Sequence, residues 1–127
     1  MRFELLAAYC VGVLLPVAEV CRRRTDFSNI PAYVDDFLIG GILVFAAWSV
    51  AKGRRAGRVL LAVAWAAFCG GMYYSFFGQL AGEGHRDTSG WSSWLVVGVK
   101  GALFLVGIFA LVRSAQAAVR AARDPLP

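Results

Sequence analysis

Four long, predominantly apolar runs, covering about residues 3–20, 33–51, 59–81 and 91–112, constrain this chain more than any other feature. Each is close to the ~20 residues a helix needs to cross a hydrocarbon core ~30 Å thick. The runs are apolar on every face, whereas a membrane β-strand alternates with period two. The expected fold class is therefore all-α: a polytopic membrane protein built as an antiparallel four-transmembrane-helix bundle, because the short links make consecutive helices antiparallel neighbours. One transmembrane domain is expected over residues 1–127, with residues 113–127 a basic tail that continues the fourth helix. Composition supports this, since 59% of residues are hydrophobic and 17% charged, which also excludes a solvated disordered chain. Three cysteines without a CxxC pair, and one histidine, cannot supply a structural zinc set.

The links read as loops. CRRRTDFSNIP joins the first two runs, with Ser28 and Asn29 favouring a turn and Pro31 suited to a helix start. KGRRAGR joins the second and third, and GEGHRDTSG the third and fourth. One side of the membrane collects Arg2, Lys52, Arg54, Arg55, Arg58, Arg113, Arg120 and Arg123, eight cations, against Arg22, Arg23, Arg24 and Arg86 on the other. Cytoplasmic loops retain positive charge, so both termini are expected in the cytoplasm, with the Arg22–Arg24 triplet opposing that assignment. Arg2 is offset by Glu4, and Ala18-Glu19-Val20 before Cys21 lacks the small residue of a cleavage site, so the first run is expected to be a retained anchor. Between Leu5 and Ala18 it is short, which implies tilt or local thinning of the bilayer.

Lipid gives helices little hydrophobic reason to associate, so small residues that admit close backbone approach are the expected contacts. The third run carries Ala62, Ala66 and Gly70, and beside them Ala67, Gly71 and Ser75. Ala8 and Gly12, Gly40 and Gly41, and Gly98 with Ala102 are their expected counterparts. These rows are also compatible with a homo-oligomer or a larger membrane complex. Tyr33, Trp48, Trp91 and Trp94 fall at run ends, as interfacial anchors do. Arg54, Arg55, Arg58, Arg113, Arg120 and Arg123 are the expected contacts to lipid headgroups. Glu4 is expected at the interface, and Cys10 and Cys69 as small buried hydrophobes.

Lys100 is the least expected residue. It stands nine residues beyond Trp91, ~13 Å into a ~30 Å core. Insertion scales assign such a lysine about 2.5–3.5 kcal/mol, and an ionisable group at that depth implies a partner. Glu19 is the first expectation and Asp36 the second, giving a polar pocket of Glu19, Asp35, Asp36, Tyr73, Tyr74, Ser75, Gln79 and Lys100 in the outer half of the bundle. The competing explanation is an ion pair that snorkels to water and fixes helix register. Asp35 and Asp36 equally suit a helix N-terminus, and His85, beside Arg86 and Asp87, suits a wet loop.

No GxSxG, HExxH, Walker or dinucleotide motif occurs. No cofactor or metal is expected, and the +5 net charge is explained at the span ends without nucleic acid. Two short stretches resemble known families without extending to them. Ala18-Glu19-Val20 resembles the first helix of small multidrug resistance transporters, although Glu19 stands at the run's end. Cys69-Gly70-Gly71-Met72 with Ser75 and Phe76 resembles a third-helix segment of fluoride channels, although the asparagine of their second helix has no counterpart here. The leading expectation is a non-enzymatic structural or accessory protein of an inner or plasma membrane, binding membrane lipid or a partner protein. The alternative is a transporter, channel or binder for a small solute, ion or proton, centred on Lys100 and Glu19. A lipid-directed enzyme using His85 or the aspartates is the weakest of the three.

Overall fold

Backbone N–H and C=O groups in a bilayer must be satisfied within the segment, which leaves this chain helices. The computed structural model describes residues 2–23, 30–81 and 92–124, forming α1 (Arg2–Arg23), α2 (Ile30–Ala51), α3 (Arg55–Leu80) and α4 (Ser93–Arg123). All four are long and apolar enough to cross a membrane. Their outward faces carry Leu6, Val13, Leu14, Phe37, Leu38, Val63, Leu105 and Phe109, all exposed. Apolar exposure on every helix is consistent with a membrane helical bundle. Trp91, His85, Arg86, Asp87 and Arg24 lie outside the described residues.

The helices extend beyond the apolar runs. α3 begins at Arg55, four residues before the run expected from residue 59, because the α2–α3 connection is very tight. Gly53 takes φ +73°, the left-handed conformation that glycine adopts freely. Its N–H donates to the Val50 carbonyl, and that of Arg54 to the Ser49 carbonyl. Gly57, which reads as a loop residue in the sequence, is buried inside α3: a Cβ there would stand 2.7 Å from the Val50 nitrogen. At the other end of the chain α4 has 31 residues and rises ~46 Å. That is longer than a ~30 Å core requires, and Arg120 and Arg123 stand in its last turn. Asp124 closes the helix by donating its N–H to the Arg120 carbonyl.

The core draws on every helix: Ala8 and Val11, Leu43, Ala46 and Ala47, Leu61, Ala64, Trp65 and Phe68, and Ala110. Trp65 and Phe68 meet edge to face at 5.5 Å. The most extensive contact is α3 on α4, then α1 on α2 and α2 on α3, with α1 on α4 the slightest of the four principal contacts. Small residues permit close approach, and between α1 and α2 they do so at expected positions, Ala8, Gly12 and Gly40 being buried. Gly12 and Gly40 are apposed so closely that a Cβ on Gly40 would stand 2.5 Å from the Gly12 carbonyl oxygen. Pro16, inside α1, has no N–H for that carbonyl, and its Cδ closes over the same spot, 3.2 Å from the same Cβ position.

On α4 the close positions are Gly107, against Phe68, and Gly101, against Phe76, whereas Gly98 has open space and Ala102 is exposed. On α3, Ala66 and Gly70 are exposed, and the buried face is Gly57, Leu61, Ala64, Trp65, Phe68 and Met72. α3 therefore packs mainly through large side chains that enter gaps left by glycines on α4. A row of small residues suits an exposed apolar surface as well as a helix contact: of the α3 rows, Ala66, Ala67 and Gly70 are exposed, while Ala62 and Ser75 are half-buried and Gly71 meets Ile39 of α2.

Candidate functional site

The helix contacts fix where each polar residue lies. Phe76 packs on Gly101, so the next turn of α3 and the adjoining position of α4 bring Gln79 and Lys100 together. The Lys100 Nζ donates to Gln79 Oε1 at 3.2 Å. Both residues are half-buried. Glu19, the first expected partner, is buried near the C-terminal end of α1. It holds Arg22 in a two-pronged pair, accepting from Nε and Nη2 at 3.2 Å each. Glu and Arg three positions apart on a helix are neighbours, so this pair had a local signal in the sequence that depth in the membrane obscured.

Among the other pocket residues, Asp36 and Ser75 are half-buried, while Asp35 is exposed. Tyr73 and Tyr74 are 58% and 79% exposed, on the outward side of α3. Tyr73 packs on Phe77 at 4.8 Å, so these tyrosines form part of the exterior. Ser75 and Gln79 are four residues apart and share the face that continues from Phe68 and Met72. The structure thus turns Glu19, Asp36, Ser75, Gln79 and Lys100 inward or to the flank, and Asp35, Tyr73 and Tyr74 outward. α2 begins at Ile30 and has no acidic residue in its first turn, so Asp35 and Asp36 stand too far along to cap it.

A second polar pair lies at the opposite end of the helices. Glu4 stands in the first turn of α1 and is 1% exposed. Arg113 Nε donates to Glu4 Oε1 at 2.9 Å. Glu4 is turned inward because it stands one turn before Ala8 on the face that continues through Gly12, Pro16 and Glu19. That spacing was visible in the sequence. The pair spans the α1–α4 contact, beside Phe3 and Phe109, whose rings meet at 5.2 Å. The Arg113 side chain is 49% exposed, so it reaches from the surface to the buried carboxylate. The neighbouring Ser114 Oγ and, on α3, Trp65 Nε1 are enclosed and find no hydrogen-bond partner among the described residues.

The remaining basic residues are outward. Arg54, Arg55 and Arg58 are exposed around the α2–α3 turn, and Arg120 and Arg123 at the end of α4. The Arg54 guanidinium lies over the Trp48 ring, 4.9 Å from its centroid, a cation–π contact. Beside it, α1 and α2 enclose an open apolar groove of about 710 Å3, floored by Gly12, Gly40 and Gly41 and ending at Trp48. Cys10 and Cys21 are exposed and Cys69 half-buried, all as free thiols; Cys10 therefore departs from the buried position expected of it. Among the described residues no group of three or more His, Cys, Asp or Glu is placed to hold a metal ion. Compared with known proteins, the chain matches no family model, no curated protein and no solved structure.

Proposed function

We propose that this chain is an integral membrane protein with a structural or accessory role, a single antiparallel four-helix domain that binds membrane lipid or a partner protein. The observation that carries this reading is the use made of its in-span polar groups. Glu4 with Arg113 ties α1 to α4, and Lys100 with Gln79 ties α3 to α4. Polar side chains that cross between helices specify packing and register without necessarily adding stability. The falling register of the contacts supports an antiparallel arrangement: Gly12 faces Gly40 and Val44, and Phe68 and Phe76 face Gly107 and Gly101. The excess of Lys and Arg at the α2–α3 turn and the two chain ends supports termini in the cytoplasm, and helical spans of this kind belong to an inner or plasma membrane.

The test is Lys100→Met, followed by thermal unfolding in detergent and by reconstitution. An accessory protein keeps its fold and assembly, since methionine spares the desolvation cost of an ammonium group, and its melting temperature stays the same or rises. A second reading, a transporter, channel or binder for a small solute, ion or proton, is favoured by one observation: Lys100, Gln79, Ser75, Asp36 and Glu19 are all buried or half-buried rather than exposed. Proton or cation flux in proteoliposomes that disappears in Lys100→Met would establish this second role and displace the first.

A further inference from the structure

The groove between α1 and α2 is an absence of side chains at a place where the chain could have filled it. Gly41 has nothing within 4 Å of where a Cβ would stand, and Gly12 and Gly40 are pressed together at the floor. Val13 and Val17 form one wall, and Phe37, Phe45 and Trp48 the other. From Phe37 to Trp48 α2 rises ~16 Å, close to the ~15 Å that one leaflet contributes to a ~30 Å hydrocarbon core. One end of this apolar channel carries charge. Arg54 stacks on Trp48, with exposed Lys52, Arg55 and Arg58 in the same turn.

An apolar channel one leaflet long that opens onto a cluster of cations complements one kind of molecule: an amphiphile with an anionic head and a hydrocarbon tail. We infer that the α1–α2 groove holds one acyl chain of an anionic phospholipid, whose phosphate is bound by Arg54 with its neighbours in the α2–α3 turn. Guanidinium is suited to phosphate, being planar and permanently charged. The stacking on Trp48 limits its freedom before the lipid arrives, which lowers the ordering cost of binding. This inference rests on the membrane-spanning reading and adds a defined lipid, at a defined place, to its lipid-binding arm.

Native mass spectrometry of the full chain, released from detergent containing phosphatidylglycerol or phosphatidylcholine, tests it. Wild type is expected to retain one phosphatidylglycerol in preference to phosphatidylcholine. Arg54→Gln removes one cation, worth ~1 kcal/mol at an anionic surface, and is expected to reduce that preference about fivefold. Gly41→Phe fills the channel from α2 and Val17→Trp fills it from α1, and both are expected to abolish retention. Gly70→Phe, at an exposed α3 position with equally open space, is expected to leave it intact. Equal retention of the two lipids by wild type, or unchanged retention in both filled variants, overturns the inference. A lipid-free dimer lost on filling the groove assigns it to a second copy and also overturns it. Flotation with liposomes and helicity by circular dichroism, measured on each variant, report membrane insertion separately from lipid retention.

Discussion

Glu4 shows how a single carboxylate in this protein is tolerated. Moving an isolated carboxylate from water into low-dielectric surroundings costs several kcal/mol even after relaxation, and an opposite charge at hydrogen-bond distance offsets it. Here Arg113 supplies that charge at 2.9 Å. Removing the cation takes away a charge-assisted hydrogen bond that offsets the burial of the acid. Arg113→Met is therefore expected to destabilise the fold by about 1–3 kcal/mol, less than a fully buried pair would lose, because the guanidinium is half exposed. Replacing both, as Glu4→Leu with Arg113→Leu, is expected to recover most of the loss. Unfolding in SDS–detergent mixtures would show it, and a double variant no better than Arg113→Met would mean that the carboxylate is tolerated without its partner.

Between helices, the decisive contacts are glycine positions with very different surroundings. Gly40 meets the α1 backbone, so a larger side chain there must push α1 away from α2. Gly40→Val is expected to cost about 1–3 kcal/mol, as overpacking does. Gly70 faces open space, so Gly70→Ala is expected to be neutral or stabilising by up to about 1 kcal/mol through helix propensity alone. Gly53→Ala belongs to a third case: its surroundings are empty, but φ +73° makes any side chain unfavourable, by about 1 kcal/mol. Equal effects of the three substitutions in the same unfolding assay would contradict the helix contacts described above. The small-residue rows of α3 were legible in the sequence and their orientation was not, because lipid accepts alanine and glycine as readily as a neighbouring helix does.

For the molecule as a whole, the direction in which it faces has a direct measurement. The proposed orientation, argued from the excess of basic residues, has the chain ends and the α2–α3 turn inside and Cys21, near the end of α1, outside. Cys21 is an exposed thiol. In a Cys10→Ala, Cys69→Ala background, a membrane-impermeant maleimide is expected to label Cys21 in intact cells. Labelling only after permeabilisation would reverse the orientation and move the Arg54 cluster, with the lipid site built on it, to the outer leaflet. The α1–α4 contact is the slightest of the principal ones yet holds the Glu4–Arg113 pair, so the same assembly also predicts that Arg113→Met loosens the two chain ends before it affects the α3–α4 contact.

The number of spans and their approximate limits follow from the sequence, because the length of an apolar run is a one-dimensional property and a bilayer accepts helices with few alternatives. So does the Glu19–Arg22 pair, whose partners are neighbours on any helix. Tertiary structure decided the rest. Glu4 and Arg113 stand at opposite ends of the chain, and nothing local to either says that two other helices will bring them within 2.9 Å. Lys100 needed a polar neighbour by energetics, but its hydrogen bond to Gln79 depends on the rotation of α3 about its axis. That rotation is set by Phe68 and Phe76 seating on Gly107 and Gly101, contacts for which hydropathy carries no directional information.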